Sequence, residues 1–237
     1  MFDGDGMVKR YLVLWVLFLS VSMTAVGEQV VLLHGLVRSP KSMVKLERAL
    51  AEEGYDVFNI GYPSRQGSVV ELAQGVRKEI EDRVDASKPM HFVTHSMGGI
   101  LVRQMVVDQV FENMGRVVML SPPNKGSEIV DKLGSWKAFQ VLNGPAGSEL
   151  GTDEKSRPAS LGAAAFELGI ITGDRSINWI LSMMIPGKDD GKVSVENAQL
   201  EGMKAFRVVH ATHPFIMKKP LVIEMVKCFL ATGEFEE

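Results

Sequence analysis

One cysteine, Cys228, stands in 237 residues, so no disulfide can close within the chain and no C-x-x-C metal or redox pair exists. An excess of charge of one sign is also missing. Lys and Arg number 26 against 29 Asp and Glu, a net charge of -3, which excludes a strongly basic nucleic-acid binder. Five histidines (His34, His91, His95, His210, His213) show no H-E-x-x-H or other ligand spacing, and no metal or cofactor is expected. Repeats, low-complexity tracts and an interdomain linker are absent from the sequence. What is present is 46% apolar and 23% charged residues, too apolar for a disordered chain. Stability must come from packing, and the length suits one sheet-centred α/β unit with a core large enough to bury a site.

The N-terminal segment reads as an address. After Lys9 and Arg10, residues 11–19 form a run of nine apolar or aromatic side chains, followed by small residues ending in Ala25-Val26-Gly27. A positive start, a short apolar run and a small-residue end fit a secretory signal peptide over 1–27, cleaved near Glu28. The run falls short of the roughly 20 residues of a stable membrane span; an uncleaved anchor over 11–26 is the alternative. Met7 is a second possible start, because 2–6 add two acids where a signal favours none. The expectation is export, periplasmic or secreted, with the folded domain at 28–237.

From Glu28 onward, β-branched runs alternate with amphipathic stretches that carry helix stop signals, the pattern of βαβ units and a mostly parallel sheet. Strands are expected over residues 30–33, 56–60, 90–94, 117–120, 166–172 and 206–209. Ser39-Pro40 reads as helix N-cap and first residue, with Met43, Leu46 and Leu50 on one face and Gly54 as the stop. Ser68 and Glu71 form a capping box, and Val69, Ala73, Val76, Ile80 and Val84 follow at helical spacing. Residues 98–111 and 221–230 are expected helices. Residues 124–165 are broken by Gly134, Gly144, Gly147, Gly151 and Pro158. That stretch is too long for an ordinary connection, so it is expected to be a cap over a site or a flexible insertion.

The chemistry concentrates at Thr94-His95-Ser96-Met97-Gly98-Gly99, between an apolar strand and a helix. A strand that turns abruptly into a helix throws the central serine out over the sheet edge and needs small neighbours, and the helix amides favour negative charge nearby. Thr94 stands where a G-x-S-x-G motif has its first glycine. His34-Gly35-Leu36 ends the first strand. The backbone amides of Leu36 and Met97 are the candidate pair of donors for an oxygen that gains charge. A carboxylate and an imidazole must follow Ser96. Asp189, Asp190 and Asp174 are the candidate acids; His213 is favoured over His210 as the base, and His91 and His95 are assigned to packing. Apolar side chains of 124–165 and 179–185 line an acyl pocket or belong to the core.

Together Val31-Leu32-Leu33-His34-Gly35, Thr94-His95-Ser96-Met97-Gly98-Gly99, Asp190-Gly191-Lys192-Val193 and the late His213 resemble the α/β-hydrolase superfamily, on its bacterial lipase and esterase side. The resemblance runs from about Glu28 to the last helix. It implies a mostly parallel sheet flanked by helices, with a cap-like insertion between the later strands. It also implies Ser96 as nucleophile, His213 as base, the Leu36 and Met97 amides as oxyanion hole, and Asp190 as the acid, because an aspartate three residues before a valine matches it better than Asp189. Some of those lipases hold calcium through an aspartate soon after the catalytic histidine. Pro214-Phe215-Ile216 offers none, so the expectation of no metal stands. No long apolar lid helix is visible, which favours an esterase over a triacylglycerol lipase. The implied activity is hydrolysis of carboxylic esters, with a small-molecule or lipid ester as partner, no nucleic acid, and membrane association only through the N-terminal segment. A thioesterase, an acyltransferase and an inactive binding module remain as alternatives.

Overall fold

A computed structural model describes residues 27–235. The expected signal peptide or anchor over 1–27 lies, except for Gly27, outside the described residues. Six strands form one sheet: β1 (Gln29–Leu33), β2 (Asp56–Ile60), β3 (Met90–His95), β4 (Met114–Leu120), β5 (Leu168–Gly173) and β6 (Ala205–Val209). Their order is β2-β1-β3-β4-β5-β6, and every neighbouring pair is parallel. The helices of the described residues are α1 (Val44–Glu52), α2 (Val69–Arg83), α3 (Met97–Asp108), α4 (Glu128–Leu133), α5 (Lys137–Ser148), α6 (Arg157–Ser160), α7 (Trp179–Ser182), α8 (Val195–Ala198) and α9 (Pro220–Thr232). None is long and apolar enough to cross a membrane.

The apolar runs are continuous because both faces of the sheet are covered. Val31 and Leu33 of β1 pack with α2 and α3 on one face, while Val30 and Leu32 pack with α1 and α9 on the other. The alternation follows from the two-residue period of a strand. Each fully buried Leu, Ile or Val in these layers contributes roughly 1.5–3 kcal/mol. In a parallel sheet every crossover returns the chain to the same end. Register therefore places Leu33 beside Thr94, His95 beside Leu120 and Leu120 beside Ile171. The loops leaving these strand ends share one rim, where open parallel sheets bind ligands.

Several boundaries differ from the sequence reading. The Ser68–Glu71 capping box forms in both directions, at 3.2 and 2.8 Å, but Ser39 makes no side-chain cap. Pro40–Ser42 is a 3-10 turn, closed by the Met43 amide on the Pro40 carbonyl at 2.9 Å, and α1 starts only at Val44. α3 stops at Asp108, because Gln109 is extended and Phe111 turns inward onto Phe92, 5.7 Å between ring centres. β4 begins at Met114, and β5 begins at Leu168 instead of Phe166. α9 closes with Gly233 in the left-handed region at φ 80°.

Residues 124–165, between β4 and β5, hold α4, α5 and α6. Buried Arg103 of α3 pins this segment at both ends. Its guanidinium donates to the Asn124 carbonyl at 2.9 Å and to the Pro158 and Gly162 carbonyls at 2.8 Å each. Burial lowers its pKa to about 10, so it remains a cation at neutral pH. Within α5, Gly144 breaks helical geometry at φ 69° ahead of Pro145, which splits the element into two short pieces.

Candidate active site

Ser96 lies between β3 and α3 at φ 53° and ψ -124°, a strained conformation for a residue with a side chain. Its amide donates to the Leu120 carbonyl at 2.9 Å, and its carbonyl accepts from Gly99 at 3.0 Å. The glycines around it answer specific contacts. A Cβ on Gly98 would lie 2.7 Å from the Leu33 carbonyl oxygen, and one on Gly35 would lie 2.7 Å from His95 Nδ1 and 3.0 Å from Ser96 Cβ. Thr94 departs from the usual glycine, yet it is fully buried. A side chain on Gly99 would approach Met119 Sδ to 2.9 Å and Thr94 Oγ1 to 3.3 Å, so the space Thr94 takes is space Gly99 leaves.

The structure brings Ser96, His213 and Asp190 together from three separate parts of the chain. Ser96 Oγ donates to His213 Nε2 at 3.0 Å, and His213 Nδ1–H donates to Asp190 Oδ2 at 2.8 Å. The other carboxylate oxygen of Asp190 accepts from the amides of Lys192 and Val193 at 3.0 and 2.9 Å. Asp190 is completely buried, and its carbonyl accepts from the His213 amide at 2.9 Å, so both partners are held by backbone as well. Asp189 turns elsewhere, to the Ser182 hydroxyl and, at 2.7 Å, to the Gly191 amide. Asp174 lies beside His210 at 3.1 Å, and the His210 side chain is 73% exposed. His91 accepts from the Arg116 amide at 2.8 Å and faces Glu28 at 3.2 Å, a structural role.

The loop after β1 is braced from the loop after β2. His34 stacks on Tyr62 with ring centres 4.2 Å apart and planes within 3°. The Tyr62 hydroxyl donates to the His34 carbonyl, and the Val37 amide donates to Ser64 Oγ at 3.1 Å. His34 Nδ1–H donates to the Gly35 carbonyl at 2.9 Å while Nε2 accepts from the Tyr62 amide at 3.4 Å. That is the pattern of a neutral ring, and burial lowers the His34 pKa. The Leu36 amide has no acceptor among the described residues, and the Met97 amide is the first of α3, where helices leave donors unpaired. Sequence reading missed Tyr62 and Ser64. Their only signal was their place directly after a strand that neighbours β1.

A cavity of about 460 Å³ opens above Ser96. Its walls are mainly apolar, with Ile129 from α4, Phe139 and Leu142 from α5, Leu150, and Leu181 from α7. The 124–165 segment therefore does line the space, whereas Trp179 and Met183 turn outward, 70% and 69% exposed. Among the described residues, no group of His, Cys, Asp and Glu could hold a metal ion. A hydroxyl hydrogen-bonded to an imidazole–carboxylate pair, under an apolar pocket, is an arrangement that can support acyl transfer.

Neither a known family profile nor a curated protein matches the sequence. Solved structures do match. The lipase BlEst2 of Bacillus licheniformis in its mature form shares a TM-score of 0.62 at 19% identity, over 88% of this chain and 93% of that one. A metagenomic carboxyl esterase gives 0.61 at 16% identity, over 81% and 66%. A structure reported for the metagenome-derived lipolytic enzymes LipS and LipT gives 0.58 at 18%, over 87% and 95%.

Proposed function

We propose that this chain, which has the α/β-hydrolase fold, is a serine hydrolase that cleaves carboxylic esters through an acyl-enzyme. The observation that carries the reading is the pair of hydrogen bonds, 3.0 and 2.8 Å, linking Ser96 to His213 and His213 to Asp190 at the base of an apolar cavity. Ser96 Oγ attacks the ester carbonyl carbon as His213 Nε2 takes its proton. The carbonyl oxygen becomes an oxyanion between the Leu36 and Met97 amides. Collapse of this intermediate breaks the bond to the alcohol, which leaves with the proton from His213. Water, deprotonated by the same nitrogen, then attacks the acyl-enzyme and releases the acid and free Ser96. Asp190 keeps Nδ1 protonated and stabilises the imidazolium without taking its proton.

The acyl chain takes the cavity walled by Ile129, Phe139, Leu142 and Leu181. An ester is favoured over a purely bound ligand because all three reacting side chains are oriented by bonds that binding alone does not need. A thioester substrate or an acyl-accepting alcohol in place of water uses the same atoms. On the sequence reading of 1–27 we further propose that the protein is exported, or held at a membrane by that segment.

A panel of nitrophenyl esters of rising chain length tests the reading with native protein, Ser96→Ala, Asp190→Ala and Asp189→Ala. The expected result is native turnover, loss of about 10⁴-fold or more in Ser96→Ala, and a far larger loss for Asp190→Ala than for Asp189→Ala. Turnover indifferent to Ser96→Ala rejects the mechanism, and equal losses for the two aspartates reject the acid assignment.

A further inference from the structure

Among the described residues, three cations at the Ser96 cavity and the depression beside it form no salt bridge: Arg38, Arg65 and Lys192. Arg38 and Lys192 line the apolar cavity above Ser96. Arg38 also lines a second, adjoining depression of about 340 Å³, together with Arg65, Tyr62 and Ser64. No acid lines that depression, and the one acid lining the cavity is Asp190, whose oxygens are already engaged by His213 and by the Lys192 and Val193 amides. The placement is built into the backbone. Val37, a β-branched residue, is held at φ 57° by the Ser64 contact, a strained conformation directly before Arg38. On the other side, the Arg65 carbonyl packs so tightly against Gly144 that a Cβ there would come within 2.1 Å of it. Lys192 is tied by its own amide to Asp190 and by its carbonyl to Ser127 at 2.8 Å.

We infer that the ester taken by this site carries a phosphate on its alcohol side. The acyl chain enters the apolar cavity, and the phosphate lies toward the adjoining depression, on Arg38 with Arg65 and Lys192 beside it. The inference rests on the hydrolase reading above. An acyl ester places its two ends on opposite sides of the carbonyl carbon, and Arg38 is shared between the apolar cavity that holds Ser96 and the polar, cationic depression that adjoins it. Guanidinium groups bind phosphate through paired N–H donors, and a phosphate monoester, with three terminal oxygens and a charge of about -1.5 to -2 at pH 7, has more to share among several cations than a carboxylate has. The surroundings agree. Burial first and then the Arg38 charge lower the Lys192 pKa, with Asp190 opposing them, so the two cations lie close enough to act on each other.

The test compares kcat/KM at low salt for octanoylglycerol, its 3-phosphate, octanoyl-glycerophosphocholine and O-octanoyl glycolate, all below their aggregation concentrations. The phosphate esters are expected to exceed the neutral ester by about tenfold, roughly one charge-assisted contact. The faster of the two phosphate esters tells a phosphorylated metabolite from a lipid headgroup. The ratio of phosphate to neutral ester is expected to fall toward one in Arg38→Gln and at high salt, to fall partly in Arg65→Gln, and to be kept in large part by Arg38→Lys. A merely structural loss would lower both substrates together and leave the ratio unmoved. A native ratio at or below one, a preference for the glycolate, or a ratio unaffected by Arg38→Gln overturns the inference. Labelling of Ser96 by a fluorophosphonate, run on each protein, separates the two failures. Labelled enzyme without the preference sinks only the phosphate assignment, and unlabelled native enzyme sinks the hydrolase reading and this inference with it.

Discussion

His95 donates from Nε2 to the backbone carbonyl of His213 at 2.9 Å, and the two rings lie 4.9 Å apart. The sequence suggested only turn packing for His95. In the fold it ties the loop that carries the proposed base to the strand that carries the proposed nucleophile. Its pKa lies well below the usual imidazole value, first because it is buried and next because of His213. Neutrality matters here, since a second imidazolium would oppose the charge that the proposed mechanism places on His213.

Replacing His95 by Phe keeps the bulk and removes the bond. The expected result is a fall in kcat of about tenfold, the scale of one lost hydrogen bond to a reacting group's support, with KM little changed. A matched loss in both constants, or none, would show that the contact does not position His213.

Gly98→Ala forces a methyl toward the Leu33 carbonyl, where 2.7 Å is available. Backbone cannot yield as a flexible side chain would. Overpacking of this kind costs about 1–3 kcal/mol, and the turn carrying Ser96 moves with it. A loss of at least about tenfold in kcat/KM is expected, together with a lower urea midpoint. Unchanged values for both would contradict the geometry of the turn between β3 and α3.

Arg103→Leu leaves the Asn124, Pro158 and Gly162 carbonyls without their donor. Stability is expected to drop by about 3 kcal/mol, most of it the penalty of unpaired buried acceptors. Hydrogen exchange should quicken across 124–162 before it does so in β1 or β3. A variant within about 0.5 kcal/mol of native, inside the range of ordinary surface changes, would refute the anchoring role.

Acid should weaken the fold through His34 and His95. Burial lowers both pKa values below the ordinary 6.5. Between that value and the folded values the unfolded chain binds more protons, so stability rises with pH across this window and falls on acidification. Above it these groups contribute no slope. Urea midpoints should therefore decline below about pH 6.5, with a limit of about 1.4 kcal/mol per pH unit for each excluded proton. The decline should be shallower in His95→Phe. A midpoint that holds steady or rises on acidification would contradict this assignment.

The parts of the fold legible in the sequence are those written in local pattern. Val30 to Leu33 is a strand because an apolar run of that length fills both faces of a parallel sheet, and Ser68 with Glu71 caps α2 because both partners are close in sequence. Ser96 stood out because a serine between an apolar strand and two glycines has few other uses. The rest depends on groups that carry no sequence signature. Arg103 bonds to carbonyls, which every residue has, so nothing in the chain announces which ones. Ser39 resembled a cap, but the following turn closed three residues on and never called for its side chain. The choice between Asp189 and Asp190 turned on the direction a tight turn gives to adjacent residues. Thr94 was out of place until Gly99 was seen to leave it room.

The central claim is that Ser96 is made nucleophilic by His213. It is tested most directly by treating folded protein with a fluorophosphonate and locating the adduct by peptide mass spectrometry. The prediction is one adduct, on the peptide containing Ser96, formed at least about 10³-fold more slowly in His213→Gln. Folded native protein that takes no adduct, or takes it on another serine, would contradict the account.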